Sequence, residues 1–203
     1  MMTVDDMLSE VAKIVDAAPK DSQAAEKASA PENIKIKYKK PDIPDRSEAE
    51  AENKVTAKET GPAVGIKATL NLKIAKEMAY CVEKAAQQLG VNVVTAVTDA
   101  GGNLILLEAM DDSFIASINA ARDKAYTAVA LKMPTHTALK ESRGGALDGY
   151  ANGGGILMLG GGYPVIYNGA VIGGIGVSGG TKEQDMLLAG IGTEYFKKRV
   201  NSF

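Results

Sequence analysis

The stretch Tyr163-Pro-Val-Ile-Tyr-Asn-Gly-Ala-Val-Ile-Gly-Gly-Ile-Gly-Val177 decides the fold. Two runs, 163–167 and 170–177, flank Asn168-Gly169, the dipeptide best suited to the two positive φ values of a type I′ turn. They predict a β-hairpin, and a hairpin demands antiparallel pairing. Just upstream, Gly153-Gly-Gly155 introduces a further run at 156–159, and Gly160-Gly-Gly162 interrupts it before Tyr163. Residues 91–98 are β-branched, Asp99-Ala-Gly-Gly-Asn103 reads as a turn, and residues 104–109 complete a second hairpin.

Helical periodicity fills the spaces between these runs. Thr69 is expected to open a helix that buries Ile74, Met78, Cys81, Val82, Ala85 and Leu89 and ends at Gly90. A longer helix is expected over 113–132, with Phe114, Ile118, Ala121, Ala125 and Val129 on one side and Pro134 beyond its end. Residues 135–142 suit a short helix. Thr181 and Gln184 are spaced as a capping box for a last helix through Arg199. The resulting order is helix, two strands, two helices, three strands, helix. This is an α+β domain over 67–203, with an antiparallel sheet of about five strands flanked by helices.

The first third reads differently. Val4, Met7, Leu8, Val11, Ile14 and Val15 recur at three- and four-residue spacing, opposite Asp5, Asp6, Glu10 and Lys13. They predict an amphipathic helix over 1–17 that needs a partner for its apolar stripe, because so short a helix is marginal alone in water. Residues 18–66 are rich in Pro, Glu, Lys, Ala and Ser and too poor in large apolar groups to offset ordering entropy, so they are expected to form a disordered linker. Within it, Ile34-Lys-Ile-Lys-Tyr-Lys-Lys40 alternates apolar and basic residues. That run suits a short edge strand, a contact with an acidic surface, or a solvated piece of linker.

Composition narrows the function. A net charge of −2 over 203 residues argues against a general nucleic-acid binder. One cysteine, Cys81, excludes an internal disulfide framework and any multi-cysteine metal site. No run approaches the length of a membrane span, and the N-terminus lacks a secretory pattern, so a cytoplasmic location is expected. Glycine is abundant, at 22 residues, and most of it falls between 144 and 192.

Several blocks resemble one family. They are Val97-Thr-Asp-Ala-Gly-Gly-Asn-Leu104, Ala121-Arg-Asp-Lys-Ala-Tyr-Thr-Ala128, Met133-Pro-Thr135, Gly160-Gly-Gly-Tyr-Pro-Val165, and Val171-Ile-Gly-Gly-Ile-Gly-Val-Ser-Gly179 with Glu183-Gln-Asp185. In this order they are similar to the GlcG/HbpS family, also seen as the C-terminal domain of PduO. The resemblance implies a profilin-like sheet with helices on both faces, assembly into a homo-oligomer such as a ring or octamer, and binding of haem or, less readily, a corrinoid. The adenosyltransferase domain of full PduO proteins is absent from this sequence. The leading helix and linker look like an encapsulation peptide, which implies cargo of a bacterial microcompartment, contacting shell or other cargo through residues 1–17.

Haem needs an axial donor, an apolar wall and cations or amides for its propionates. His136 is the one histidine, so it is the candidate axial and metal ligand, with Tyr163, Tyr167, Met158 and Cys81 behind it. Arg122, Lys124 and Arg143 are the candidate cations. Gly160, Gly161 and Gly162, followed by Tyr163, are candidate contacts to a flat ligand, or else a bulged bend. A Ser178–His136–Asp99 set can be written down, but Asp99 before Gly101-Gly102 is better explained as a turn residue. Three functions remain open: a haem- or tetrapyrrole-binding accessory protein, an enzyme acting on a metabolite or cofactor in the same pocket, and a ligand-free assembly protein.

Overall fold

A computed structural model describes Ser9 and residues 68–150 and 154–201. Apart from Ser9, the expected N-terminal helix, the linker and the 34–40 run lie outside the described residues, as does Gly153.

Helix α1 spans Leu72–Leu89. Asn71 caps it, its side chain accepting from the Ile74 amide at 3.0 Å, while Gly90 closes it at φ 66°. Thr69, expected as the opener, instead accepts from the Ala100 amide at 3.1 Å, tying the chain's entry to the first hairpin turn. Strands β1 (Val94–Asp99) and β2 (Leu104–Ala109) follow. In the turn between them, Asp99 Oδ1 accepts from the Gly101 and Asn103 amides at 2.8 and 2.9 Å, as its turn role requires. Helices α2 (Ile115–Ala130) and α3 (Thr135–Glu141) lead to β3 (Gly162–Tyr167) and β4 (Ala170–Ser178). Helix α4 spans Lys182–Val200 and carries the expected capping box of Thr181 and Gln184.

Among the described residues the sheet has four strands in the order β2-β1-β4-β3, all antiparallel. The fifth expected strand, 156–159, does not form. Threonine hydroxyls from the helices satisfy its backbone instead of a ladder. The Leu157 amide donates to Thr127 Oγ1 at 2.8 Å. Thr135 Oγ1 donates to the Leu159 carbonyl at 2.5 Å and accepts from the Gly162 amide at 3.0 Å.

Helices α1 and α4 cover one face of the sheet and α2 the other. Met78, Val82, Val97, Ile175, Val177, Leu188 and Phe196 form the thicker core on the first face. The second is thin: Val94 and Ala96 meet Ala121 and Ala125. A Cβ on Gly174 would lie 2.6 Å from the Ala125 carbonyl, and one on Gly176 would strike the Ala121 carbonyl. The α2 backbone therefore rests directly on β4, and only glycine permits that approach. Such a seam takes alanine, not bulk. The expected α2 stripe is correspondingly split: Ala121, Ala125 and Val129 are buried, whereas Phe114 and Ile118 lie 70% and 38% exposed.

Lys124 sits inside this seam with no solvent exposure. Its Nζ donates to the Val177 carbonyl at 2.9 Å and to Asp185 Oδ2 at 2.7 Å, and Asp185 Oδ1 accepts from the Gly180 amide at 2.9 Å. One side chain thus joins α2, β4 and the first turn of α4, where a carboxylate also suits the helix dipole. Burial pushes the Lys124 ammonium below its ordinary pKa, opposed by Asp185. It pushes the Asp185 carboxyl upward, opposed by Lys124 and by the Gly180 and Gly179 amides.

Leaving one member of such a pair alone in the interior is far costlier than removing both. Lys124→Met should lower stability by about 3–5 kcal/mol. Lys124→Met with Asp185→Leu should recover most of the loss. Urea unfolding midpoints of the two variants decide this.

Candidate functional site

The hydroxyl of Thr135, held between Leu159 and Gly162, fixes the start of α3 against the start of β3. The next residue, His136, consequently stands beside Tyr163, with ring centroids 5.7 Å apart and planes at 51°. His136 Nδ1 is buried and has no hydrogen-bond partner among the described residues. A buried polar atom left without a partner calls for an explanation. Burial lowers the imidazole pKa below its ordinary 6.5, and the ammonium groups of Lys140 and Lys182 lower it further. At neutral pH the ring is uncharged and can donate a lone pair. The Tyr163 phenol, pushed up to about 12 by burial, stays protonated.

The two lysines come from different elements. Lys140 lies one turn beyond His136 on α3. Lys182 opens α4 and reaches the site because Gly160 lets the chain pass close by: a Cβ there would lie 2.8 Å from Lys182 Cγ. His136, Tyr163, Lys140 and Lys182 therefore combine a neutral donor, an aromatic wall and two cations. Lys140 and Lys182 were not among the cations expected from sequence. The four-residue spacing from His136 could have found Lys140, but nothing local announces Lys182.

The other expected residues fall elsewhere. Lys124 cannot meet a ligand's carboxylates, since its ammonium is enclosed with Asp185. Arg122 is half exposed and paired with its neighbour Asp123 at 3.1 Å. Arg143 is exposed just past α3, its backbone amide donating to the Lys140 carbonyl at 3.3 Å. The three glycines form a bend packed with protein rather than a slot. A Cβ on Gly161 would lie 2.6 Å from the Val177 carbonyl, and one on Gly162 would lie 2.5 Å from Thr135 Cγ2. Of the fallback donors, Cys81 is in the core with its thiol pushed up to about 12, mainly by burial. Met158 is buried and Tyr167 lies 41% exposed at the end of β3. Ser178 and Asp99 occupy opposite ends of the β1–β4 ladder, where Ser178 faces Val94 and Asp99 faces Gly173, so no catalytic trio assembles. The six apolar residues from Val4 to Val15 lie outside the described residues.

The sign of the His136 shift gives a pH dependence. The unfolded chain takes up a proton near 6.5 while the folded ring resists it, so stability falls as pH drops from 6.5 toward the lowered folded value. Since the chain has one histidine, its ring resonance is unambiguous in an NMR titration. The midpoint should lie below 6.5, and Lys140→Gln with Lys182→Gln should raise it.

Among the described residues, no helix is long and apolar enough to cross a membrane. Comparison with known proteins gives a consistent result. The family model "Haem degrading protein HbpS-like" matches residues 70–194. A 15.0 kDa protein encoded between dhaT and dhaS in Citrobacter freundii is 46% identical over 134 residues, covering 64% of this chain and 94% of that protein. The corrinoid adenosyltransferase PduO of Salmonella typhimurium is 37% identical over 137 residues, covering 66% of this chain but only 39% of PduO. A crystal structure of a PduOC:heme complex superimposes with a TM-score of 0.59 at 35% identity, covering 63% of this chain and 94% of that one. Its fold, its blocks of sequence and the span of the match agree: the chain belongs to the HbpS-like family.

Proposed function

We propose that the protein is an oligomeric accessory protein that binds haem or a related tetrapyrrole at the His136 corner. The observation that carries this reading is the His136 imidazole, packed against Tyr163 with its buried Nδ1 unpartnered among the described residues, and with Lys140 and Lys182 near enough to lower its pKa further. The family description and the haem complex of the PduOC neighbour support it. A corrinoid is the lesser candidate, suggested by the relation to PduO.

The residues present fit haem. With Nδ1 enclosed, Nε2 of His136 is the atom left to act as axial donor, Tyr163 offers the apolar wall, and Lys140 and Lys182 suit the propionates. Haem bound there supplies a redox-active iron. The chain's own part is to hold the imidazole in its donor form, through burial and neighbouring positive charge, and to keep Tyr163 protonated so that no phenolate competes. Self-association completes the reading, because Ile115, Leu159 and Tyr167 are large, apolar and exposed on the single chain, apart from Phe114 and Ile118. The protein is delivered to a bacterial microcompartment by an amphipathic helix at 1–17, across a linker at 18–66 that separates it from the domain at 67–203.

Titration with haemin should produce a Soret band. His136→Ala should shift and weaken it, and Lys140→Gln or Lys182→Gln should each reduce affinity by about tenfold, the equivalent of one charge-assisted contact. An unchanged band in His136→Ala removes this residue as ligand, and no band in the parent protein removes haem.

Deleting residues 1–17 should abolish co-purification with shells while leaving the thermal unfolding of the domain unchanged. Retained encapsulation would refute the delivery role.

A further inference from the structure

The sheet order leaves β2 at one edge, with a strand neighbour on only one side among the described residues. Such an edge is a template for another strand. Two unlike surfaces meet there. On the α1 side, Glu108 faces Thr95 in the ladder and shares a trough of about 530 Å³ with Glu83 and Asp111. Glu108 and Asp111 have no ion pair or hydrogen-bond partner for their side chains among the described residues, and neither does the hydroxyl of Thr95, which lines the trough and is only 4% exposed. On the α2 side, Leu107 packs beneath the helix while Phe114 and Ile118 stand 70% and 38% exposed. A strand added to β2 would therefore meet carboxylates with one face and apolar side chains with the other.

One run of this chain has the matching alternation. In Ile34-Lys-Ile-Lys-Tyr-Lys-Lys40 the odd positions 35, 37 and 39 are lysines, and Ile34, Ile36 and Tyr38 share the opposite parity. In a strand these two sets project to opposite faces. We propose that residues 34–40 dock on β2 of their own chain as a fifth strand. Lys35, Lys37 and Lys39 face Glu83, Glu108 and Asp111, and Ile34, Ile36 and Tyr38 cover the apolar start of α2. The tether is ample. Residues 41–69 separate the segment from Leu70, whose amide is anchored to the Ile172 carbonyl at 2.9 Å. Extended, that tether reaches roughly 90 Å, several times the length of β2. The docked strand blunts the open edge and holds the middle of the linker against the domain, so the peptide at 1–17, on the proposed delivery role, projects from a fixed corner.

Hydrogen exchange of the full chain, read by mass spectrometry, tests this. Amides of 34–40 and the outward amides of β2 should exchange about tenfold more slowly than in a Lys35→Glu/Lys37→Glu/Lys39→Glu variant. Adding Glu83→Lys and Glu108→Lys to that variant should restore the protection, which a general folding defect would not allow. Free-rate exchange of 34–40 in the parent protein overturns the proposal, whatever β2 does. Protection that rises with protein concentration also overturns it, by assigning the strand to a second copy.

Discussion

The contact of α2 with β4 governs the rest of the molecule. Gly174 and Gly176 bring a helix backbone onto a strand with no side chain between them, and Ala121 and Ala125 complete the fit. Lys124 can only lie in that seam if its charge is answered there, and the answer comes from Asp185 at the start of α4. The seam thereby sets three elements at once. It places the exit of α2, hence α3 and His136. It also places the first turn of α4, hence Lys182. The His136 corner is a consequence of that packing, which meets it at Gly161 and Gly162.

A buried ion pair is a weak source of stability, because desolvation of both groups offsets most of their attraction. Its worth here is specificity. The threefold junction of Lys124, Val177 and Asp185 is satisfied in one arrangement of α2, β4 and α4, and any slippage strands a charge in the interior. The threonine hydroxyls do a similar job more cheaply. Thr127 and Thr135 hold 157–162 in an irregular path, and on that path Gly160 packs closely against the side chain of Lys182 on α4.

The two edges of the sheet differ in character. Beside β3, burial and two ammonium groups keep an imidazole neutral. Beside β2, three carboxylates line an open trough. A chain whose net charge is only −2 has thus separated its charge across the width of one sheet. An anionic macrocycle and a basic peptide segment would be drawn to opposite edges, so the two readings do not compete for one surface.

Short-range chemistry made much of this legible in the sequence. Asn168-Gly169, the Asp99 turn and the Thr181–Gln184 box depend on a few neighbouring residues, and each appears as written. Helix periodicity found α1 and α2, since burial of one stripe is a one-dimensional pattern. His136 was legible as the single imidazole. Long-range partners were not. Residues 156–159 look like a strand until hydroxyls from α2 and α3 take their backbone bonds, and Phe114 looks like core until it falls at the N-cap of α2, 70% exposed ahead of the seam. Lys124 reads as a surface cation because its partner lies 61 positions away, and Lys182 joins the site only through a close chain passage at Gly160. Pattern and turn chemistry fix most of the elements that form. Only the packed chain decides which charges are enclosed and which reach a ligand, because desolvation depends on neighbours that the order of residues does not reveal.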